Sequence, residues 1–271
     1  MRIFLTGATG YIGNAVALTL RKHGHDVDAL VRPESETRSL RDAGVVLIAG
    51  DLSTLPSLEF TEYDGVVHTA VAKKNAVALD RSAVDVFTKS GRPFLYTSGV
   101  WILGNTTNAN ESTRVNPLPI VAWRPAHEQL VLDSGGAALR PGCVYGGKQS
   151  MFADWFASVE QGGPIRIAGD GKNRWALVGL DDLAGCYLRA IEQGATGVLH
   201  ATDDTHASLN DCARALSKDA KIEHLPVDRA KLGPFADALL VDQVISSDAT
   251  RRKLGWMPKQ TFASAARKLD Q

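Results

Sequence analysis

A glycine-rich turn near the start of the chain constrains the fold more than any other feature. Residues 3–6 are apolar enough to form a short buried strand, and the segment Gly7-Ala8-Thr9-Gly10-Tyr11-Ile12-Gly13 follows directly. A helix is predicted over residues 12–23, where apolar residues recur at helical spacing. A strand, a glycine turn and a helix in this order are typical of a dinucleotide-binding corner.

The three glycines of this turn have separate physical roles. Gly7 and Gly10 let the backbone turn tightly and approach a pyrophosphate, and Gly13 lets the helix pack closely on the strand. The helix N-terminus then presents N–H groups and a positive dipole end to the phosphates. The alternative is a turn without a ligand, but strand, turn and helix all favour a bound dinucleotide. We expect it to contact Thr6, Gly7, Thr9, Gly10, Tyr11, Ile12 and Gly13.

The rest of the chain continues the alternation of strands and helices. This alternation predicts an α/β fold, a Rossmann-type doubly wound parallel sheet with a small C-terminal substrate lobe. Residues 1–170 are expected to form the nucleotide-binding domain, and residues 171–271 to complete the sheet and form the lobe. Strands are predicted over 27–32, 45–48, 66–68, 93–97, 137–140, 165–167 and 197–200, and a polar loop over 105–119.

Composition excludes several classes of protein. The 30 basic and 30 acidic residues balance, so no charge surplus points to nucleic acid. The three cysteines are far apart, which disfavours a disulfide framework and favours a cytoplasmic location. No apolar run is long enough for a membrane span, and the seven histidines show no metal-ligand spacing. We therefore expect a small-molecule substrate, no metal and no membrane.

The tip of the second strand bears on the choice of cofactor. An acidic residue there binds a ribose 2′-hydroxyl, whereas arginine accommodates a 2′-phosphate. The chain has Arg32 and no acid at this tip, which favours NADP, with NAD as the alternative. Lys73 and Lys74 follow the fourth strand, where they would attract an anion or simply be solvated.

Five further segments resemble those of the extended short-chain dehydrogenases/reductases, which include the NAD-dependent epimerase/dehydratase family. These are Asp51-Leu52, Val67-His68-Thr69-Ala70, Tyr96-Thr97-Ser98-Gly99, the run from Arg140 to Gly146, and Leu254-Gly255-Trp256-Met257-Pro258. The resemblance spans nearly the whole chain and implies a nicotinamide cofactor. It adds to the cofactor contacts Asp51, Leu52, Thr69, Ala70, Val71, Thr97, Pro141, Gly142 and Val144.

The catalytic pair of that family is missing. Family members carry Tyr-x-x-x-Lys, in which the tyrosine exchanges a proton and the lysine binds ribose. Here Trp123 stands in the tyrosine position and His127 in the lysine position, and no tyrosine of the chain has a lysine four residues on. Because an indole does not exchange a proton at neutral pH, the chain resembles an atypical member.

Replacement chemistry has several candidates. Ser98 could polarise a carbonyl, or serve only as a turn residue. His127 could act as a general acid/base or a ribose ligand, or be a hydrogen-bonded helix residue. Trp123 could stack on a ligand or line the cleft. The substrate-side candidates are Ser98, Trp101, Tyr145, Arg174 and Trp175.

Two functions remain open at this point. The first is an NADP-dependent oxidoreductase or epimerase acting on a small carbonyl or sugar-like substrate. The second is an NADP-binding sensor or regulatory protein without turnover, which the loss of the Tyr/Lys pair favours. The resemblance also implies a homodimer, since family members often pair through helices on the sheet face.

Overall fold

The computed structural model describes residues 1–147 and 149–266. Its strands are β1 (Arg2–Thr6), β2 (Asp26–Val31), β3 (Val46–Ala49), β4 (Gly65–His68), β5 (Phe94–Thr97), β6 (Thr106–Ala109), β7 (Ala137–Pro141), β8 (Cys143–Tyr145), β9 (Ile165–Ala168), β10 (Leu177–Gly179), β11 (Gly197–Ala201), β12 (Ile222–Leu225) and β13 (Gln243–Ile245). Its helices are α1 (Tyr11–Lys22), α2 (Arg38–Asp42), α3 (Ala76–Lys89), α4 (Arg124–Asp133), α5 (Ala153–Glu160), α6 (Leu180–Glu192), α7 (Leu209–Leu216), α8 (Arg229–Leu232), α9 (Phe235–Leu240), α10 (Asp248–Leu254) and α11 (Phe262–Ala266).

Seven parallel strands form the main sheet in the order β11-β7-β5-β4-β1-β2-β3. The strand order reverses between β1 and β4, and in such sheets ligands bind at the carboxyl ends of the strands beside this point. The glycine turn follows β1, and residues 69–72 follow β4, so both lie at this edge. The predicted Rossmann-type parallel sheet is confirmed.

Helices cover both faces of the sheet. Successive side chains of a strand point to opposite faces, so the apolar strands need a packing partner on each face. Ile3 and Leu5 of β1 are fully buried in a core that includes residues of α1 and α6. Phe4, between them, is buried in a second core on the opposite face, where its ring meets that of Phe87 of α3. Both faces are thus apolar, as a parallel sheet requires.

Three pairs of short parallel strands lie outside the main sheet: β8 with β10, β9 with β12, and β6 with β13. The predicted loop over 105–119 is therefore wrong at Thr106–Ala109, which pairs with a strand more than 130 residues later in the chain. A third core in this region contains Phe152, Trp175 and Phe262. The domain boundary at residue 170 stays a prediction. β11 lies after this residue and joins the main sheet.

Two negative observations apply to the described residues. Across residues 1–147 and 149–266, no helix combines the length and apolar character that crossing a membrane requires. In the same ranges, no cluster of His, Cys, Asp and Glu is arranged to hold a metal ion. The three cysteines are buried and free.

Candidate functional site

The glycine turn has no room for side chains at two of its positions. Gly7 has a φ of +80°, and a Cβ there would lie 2.6 Å from the backbone nitrogen of Ala70 after β4. A Cβ on Gly13 would lie 2.2 Å from the Gly7 carbonyl oxygen. Since real Cβ atoms do not approach so closely, β1, α1 and the segment after β4 meet only because these residues are glycine. This cradle fits a dinucleotide pyrophosphate.

A cleft of about 580 Å³ opens beside this cradle, and we call it the outer cleft. Arg32, Lys73 and Lys74 place three cations along it, against one carboxylate, that of Asp51. The predicted cofactor contacts that line it are Thr6, Gly7, Thr9, Gly10, Arg32, Asp51, Leu52, Thr69, Ala70 and Val71. Its position, beside the glycine cradle and Arg32, matches the nucleotide half of a dinucleotide site.

Asp51 and Arg32 are both held at the rim of the outer cleft. The Asp51 carboxylate accepts hydrogen bonds from the side chain and backbone N–H of Ser53, at 2.6 and 2.8 Å, and these bonds hold its pKa below the ordinary value. The Arg32 guanidinium lies 3.4 Å from Glu34, and both side chains are more than half exposed. Such an exposed pair is weak, so Arg32 is available to an incoming anion.

A second cleft of about 320 Å³, the inner cleft, lies beyond the cradle. The predicted cofactor contacts Tyr11, Ile12, Pro141, Gly142 and Val144 line it, with Ser98 and Trp101 from the predicted substrate side. Ser98 is only 9% exposed, and its hydroxyl has no hydrogen-bond partner within the described chain. A buried hydroxyl of this kind is normally satisfied, so Ser98 is poised to bond a ligand.

Arg124 is the one charged side chain among the described residues that line the inner cleft. Its guanidinium donates to the Thr97 carbonyl oxygen at 2.9 Å and to the Tyr96 hydroxyl at 3.2 Å. It also lies 4.4 Å from the centre of the Trp123 ring, a cation–π contact. Trp123 does not line either cleft; its ring positions the arginine that does.

His127 lies in a buried network behind the inner cleft. Its Nδ1 is 2.7 Å from Asp80, whose carboxylate also meets His68 Nε2 at 3.3 Å and the Tyr96 hydroxyl at 2.8 Å. Burial alone would raise the pKa of Asp80, but hydrogen bonds and charge from His68, with bonds from His127 and Tyr96, hold it below its ordinary value. His68 Nδ1 is 2.6 Å from Thr6, so the network reaches the end of β1.

Several predicted site residues lie away from both clefts. Tyr145 is buried and donates to Asp203 at 2.8 Å, while Arg174 forms a two-pronged pair with Asp242 at 2.9 and 2.6 Å. Trp175 packs against Phe152 in the lobe. Gly13, Thr97 and His127 also lie outside the clefts, although Gly13 shapes the cradle and Thr97 holds Arg124.

Seven residues that line the inner cleft were not among the predicted site residues: Gly99, Val100, Val121, Arg124, Cys143, Gln149 and Met151. Arg124 had a usable signal, because it follows the tryptophan that replaces the catalytic tyrosine. Cys143 had none, and burial raises the pKa of its thiol to about 12, so the thiol stays protonated at neutral pH.

Known proteins with similar sequences and folds extend this assignment. The chain is 30% identical to an uncharacterized protein of Saccharomyces cerevisiae, over 96% of this chain and 95% of that one. It is 27% identical to a 3-diazoavenalumate denitrifying reductase of a Streptomyces species, over 95% and 96%. Its fold matches that of UDP-glucuronic acid 4-epimerase from Bacillus cereus, with a TM-score of 0.80, 18% identity and coverage of 98% and 97%.

A family model matches the part of the chain that builds the sheet and both clefts. It is that of the NAD dependent epimerase/dehydratase family, and it matches residues 3–201. The match includes the glycine cradle, the outer cleft and Ser98. The cradle and this match together identify a site for a nicotinamide cofactor. The chain therefore belongs to the NAD-dependent epimerase/dehydratase family.

Proposed function

We propose that the protein is an NADPH-dependent reductase of small carbonyl compounds. The observation that carries this proposal is that Ser98 and Arg124 line the same inner cleft. Ser98 has a buried hydroxyl without a partner in the described chain, and the Arg124 guanidinium is held by the Thr97 carbonyl oxygen. Together they offer a donor and a positive charge to a carbonyl oxygen. The glycine cradle lies at the other end of the same site.

Ser98 and Arg124 have different roles at the carbonyl oxygen of the substrate. A nicotinamide held by the glycine cradle would supply a hydride to the carbonyl carbon. Ser98 donates a hydrogen bond to the oxygen and orients it, while the Arg124 charge stabilises the alkoxide that develops there. A guanidinium keeps its protons, so the proton that completes the alcohol comes from water. The carbonyl compound, NADPH and one proton give the alcohol and NADP⁺.

His127 acts in this proposal as a positioning residue rather than a proton donor. Its Nδ1 bonds Asp80, which bonds Tyr96, and Tyr96 bonds Arg124. We expect His127→Ala to lower kcat by up to about tenfold, and His127→Gln, which can still donate to Asp80, to restore most of it. A proton donor would supply about 100-fold or more, and its loss would also remove a limb of the pH profile of kcat/KM. Either result would indicate that His127 donates the proton.

The preference for NADPH over NADH rests on the cations of the outer cleft. Arg32 stands at the end of β2, where a 2′-phosphate would lie, and Lys73 and Lys74 add to the positive charge. We expect Arg32→Glu to weaken NADPH binding by about tenfold, or about 1.4 kcal/mol, and to leave NADH binding equal or tighter. Fluorescence titration of both cofactors measures this.

The matched control for this substitution is Arg38→Glu. Arg38 is 88% exposed, pairs with Asp42 at 3.8 Å and does not line the outer cleft. Arg38→Glu changes the net charge by the same amount as Arg32→Glu. Because Arg38 lies outside the outer cleft lining, the NADPH affinity should stay near that of the unmodified protein. Equal losses in both variants would mean that Arg32 does not contact the 2′-phosphate.

NADPH consumption with a panel of aldehydes, ketones and sugar nucleotides tests the proposed function. We expect turnover with aldehydes or ketones. Tight NADPH binding without turnover on any member of the panel would contradict it and favour a sensor. A homodimer remains part of the proposal, to be measured by sedimentation.

A further inference from the structure

A third cleft of about 520 Å³ lies in the C-terminal lobe, between α5, β9 and α9, and we call it the annex. Met151 lines both the annex and the inner cleft. The Trp101 ring of the inner cleft contacts the Phe235 ring of the annex, with centroids 6.2 Å apart. The two clefts therefore adjoin each other at Met151 and at this aromatic contact.

Aromatic and aliphatic side chains dominate the annex. Trp155, Trp175, Phe235 and Leu239 line it, and Leu225 stands at its edge with 43% of its surface exposed. This lining suits an aromatic group.

One buried polar atom in the annex lacks a partner. Trp175 is 6% exposed, and its indole nitrogen has no hydrogen-bond partner within the described chain. The neighbouring Trp155 donates its N–H to the Arg166 carbonyl oxygen at 3.0 Å. Because an unpaired buried donor is unfavourable, the Trp175 N–H is suited to an acceptor on a ligand.

The charges of the annex disfavour binding of a nucleoside diphosphate. Arg166 and Asp154 are the charged residues of the described lining, and the Arg166 guanidinium lies 3.2 Å from Glu223. A pyrophosphate would therefore meet one already paired cation and one carboxylate. Sites for such groups normally present arginine or lysine in excess.

We propose that the annex binds the aromatic part of the substrate whose carbonyl group lies in the inner cleft. The substrate class is then an aryl-alkyl ketone or aldehyde that carries a hydrogen-bond acceptor on its ring, rather than a sugar nucleotide. The inference rests on the proposed reductase function for the carbonyl end. The aromatic end rests on the annex alone.

Binding of matched ketones to the NADP-loaded protein tests this inference without requiring turnover. Titration calorimetry compares butanone with benzylacetone, which adds a phenyl ring, and with the para-hydroxy derivative of benzylacetone. We expect benzylacetone to bind at least about tenfold more tightly than butanone because its ring is buried. Equal affinities for the two ketones would overturn the inference.

Two substitutions separate the annex from the rest of the site. Leu225→Glu places a charge at the exposed edge of the annex and should bring benzylacetone close to butanone in affinity. Trp175→Phe keeps the ring and removes the N–H, so it should erase any advantage of the para-hydroxy derivative over benzylacetone. Met257→Glu, an exposed residue outside all three clefts, is the control and should change neither. If Leu225→Glu left the affinity for benzylacetone unchanged, this result would contradict the proposal that the annex binds the aromatic ring.

Reduction assays on the same ketones keep the two proposals distinguishable. If butanone and benzylacetone are reduced with equal kcat/KM and bind equally, the reductase function stands and the annex inference fails. If benzylacetone binds through the annex but no ketone is reduced, the annex stands and the reductase function fails.

Discussion

Gly13→Ala should weaken NADPH binding by at least about 100-fold, or about 2.7 kcal/mol. The added methyl group would lie 2.2 Å from the Gly7 carbonyl oxygen and 2.5 Å from the Thr69 hydroxyl. To avoid these contacts α1 must move away from β1, and the helix N-terminus then leaves the phosphate position. Fluorescence titration gives the affinity, and the melting temperature reports the accompanying loss of stability.

Gly185→Ala is the matched control for this substitution. Gly185 lies within α6, and a Cβ there would meet no atom within 4 Å. Alanine is preferred over glycine in a helix interior, so NADPH affinity should be unchanged and stability equal or higher. If Gly13→Ala retained NADPH affinity within a few-fold, the cradle would not be the phosphate site.

Arg124→Met should lower kcat by about 100-fold or more, with little change in NADPH affinity. Removing one group that stabilises developing charge on an oxygen typically costs about 100- to 1000-fold. Methionine keeps an unbranched side chain beside the Trp123 ring but carries no charge. Stopped-flow absorbance of NADPH during a single turnover measures the step directly.

Arg124→Lys and Arg81→Met complete the comparison. Lysine keeps the charge but cannot reproduce the planar fork, so an intermediate rate is expected. Arg81, on α3, is half exposed, pairs with Asp85 at 3.0 Å and does not line the inner cleft, so its loss should leave kcat unchanged. A rate for Arg124→Met near that of the unmodified protein would remove this residue from the mechanism.

The nucleotide half of the site could be predicted from the sequence because its signals are local. The glycine spacing, the flanking strand and the helix that follows lie within about 20 residues of one another. Each constrains the same turn, and the structure brings Gly7, Gly10 and Arg32 to one cleft. The alternating pattern likewise predicted all seven strands of the main sheet.

The strand over 165–167 was predicted and is β9, but the strand pairing of the lobe could not be predicted because it joins distant segments. β6 and β13 are only four and three residues long, and each pairs with the other across more than 130 residues of chain. The same limit applies to Arg174 and Tyr145, which pair with Asp242 and Asp203. Sequence position alone placed these side chains in the cleft, while partners far along the chain hold them elsewhere.

The substitution of the catalytic pair was visible in the sequence, but its structural consequence was not. Trp123 indicated that the usual proton exchange is absent, yet its contact with the guanidinium of Arg124 depends on the start of α4. Histidine is the most common general acid or base in enzymes, which made His127 a candidate acid. Its bond to Asp80 depends on α3, which lies about 50 residues earlier in the chain.

Deuterium transfer from NADPH that carries deuterium in both hydrogen positions of the nicotinamide C4 tests the central claim most directly. The protein is mixed with labelled NADPH and benzylacetone in ordinary water, and the product is examined by NMR. We predict one deuterium on the carbinol carbon and none on the hydroxyl, since the hydride comes from the cofactor and the proton from water. Saturating NADPH binding with no deuterium in any ketone or aldehyde tested would contradict the reductase and leave a cofactor-binding sensor.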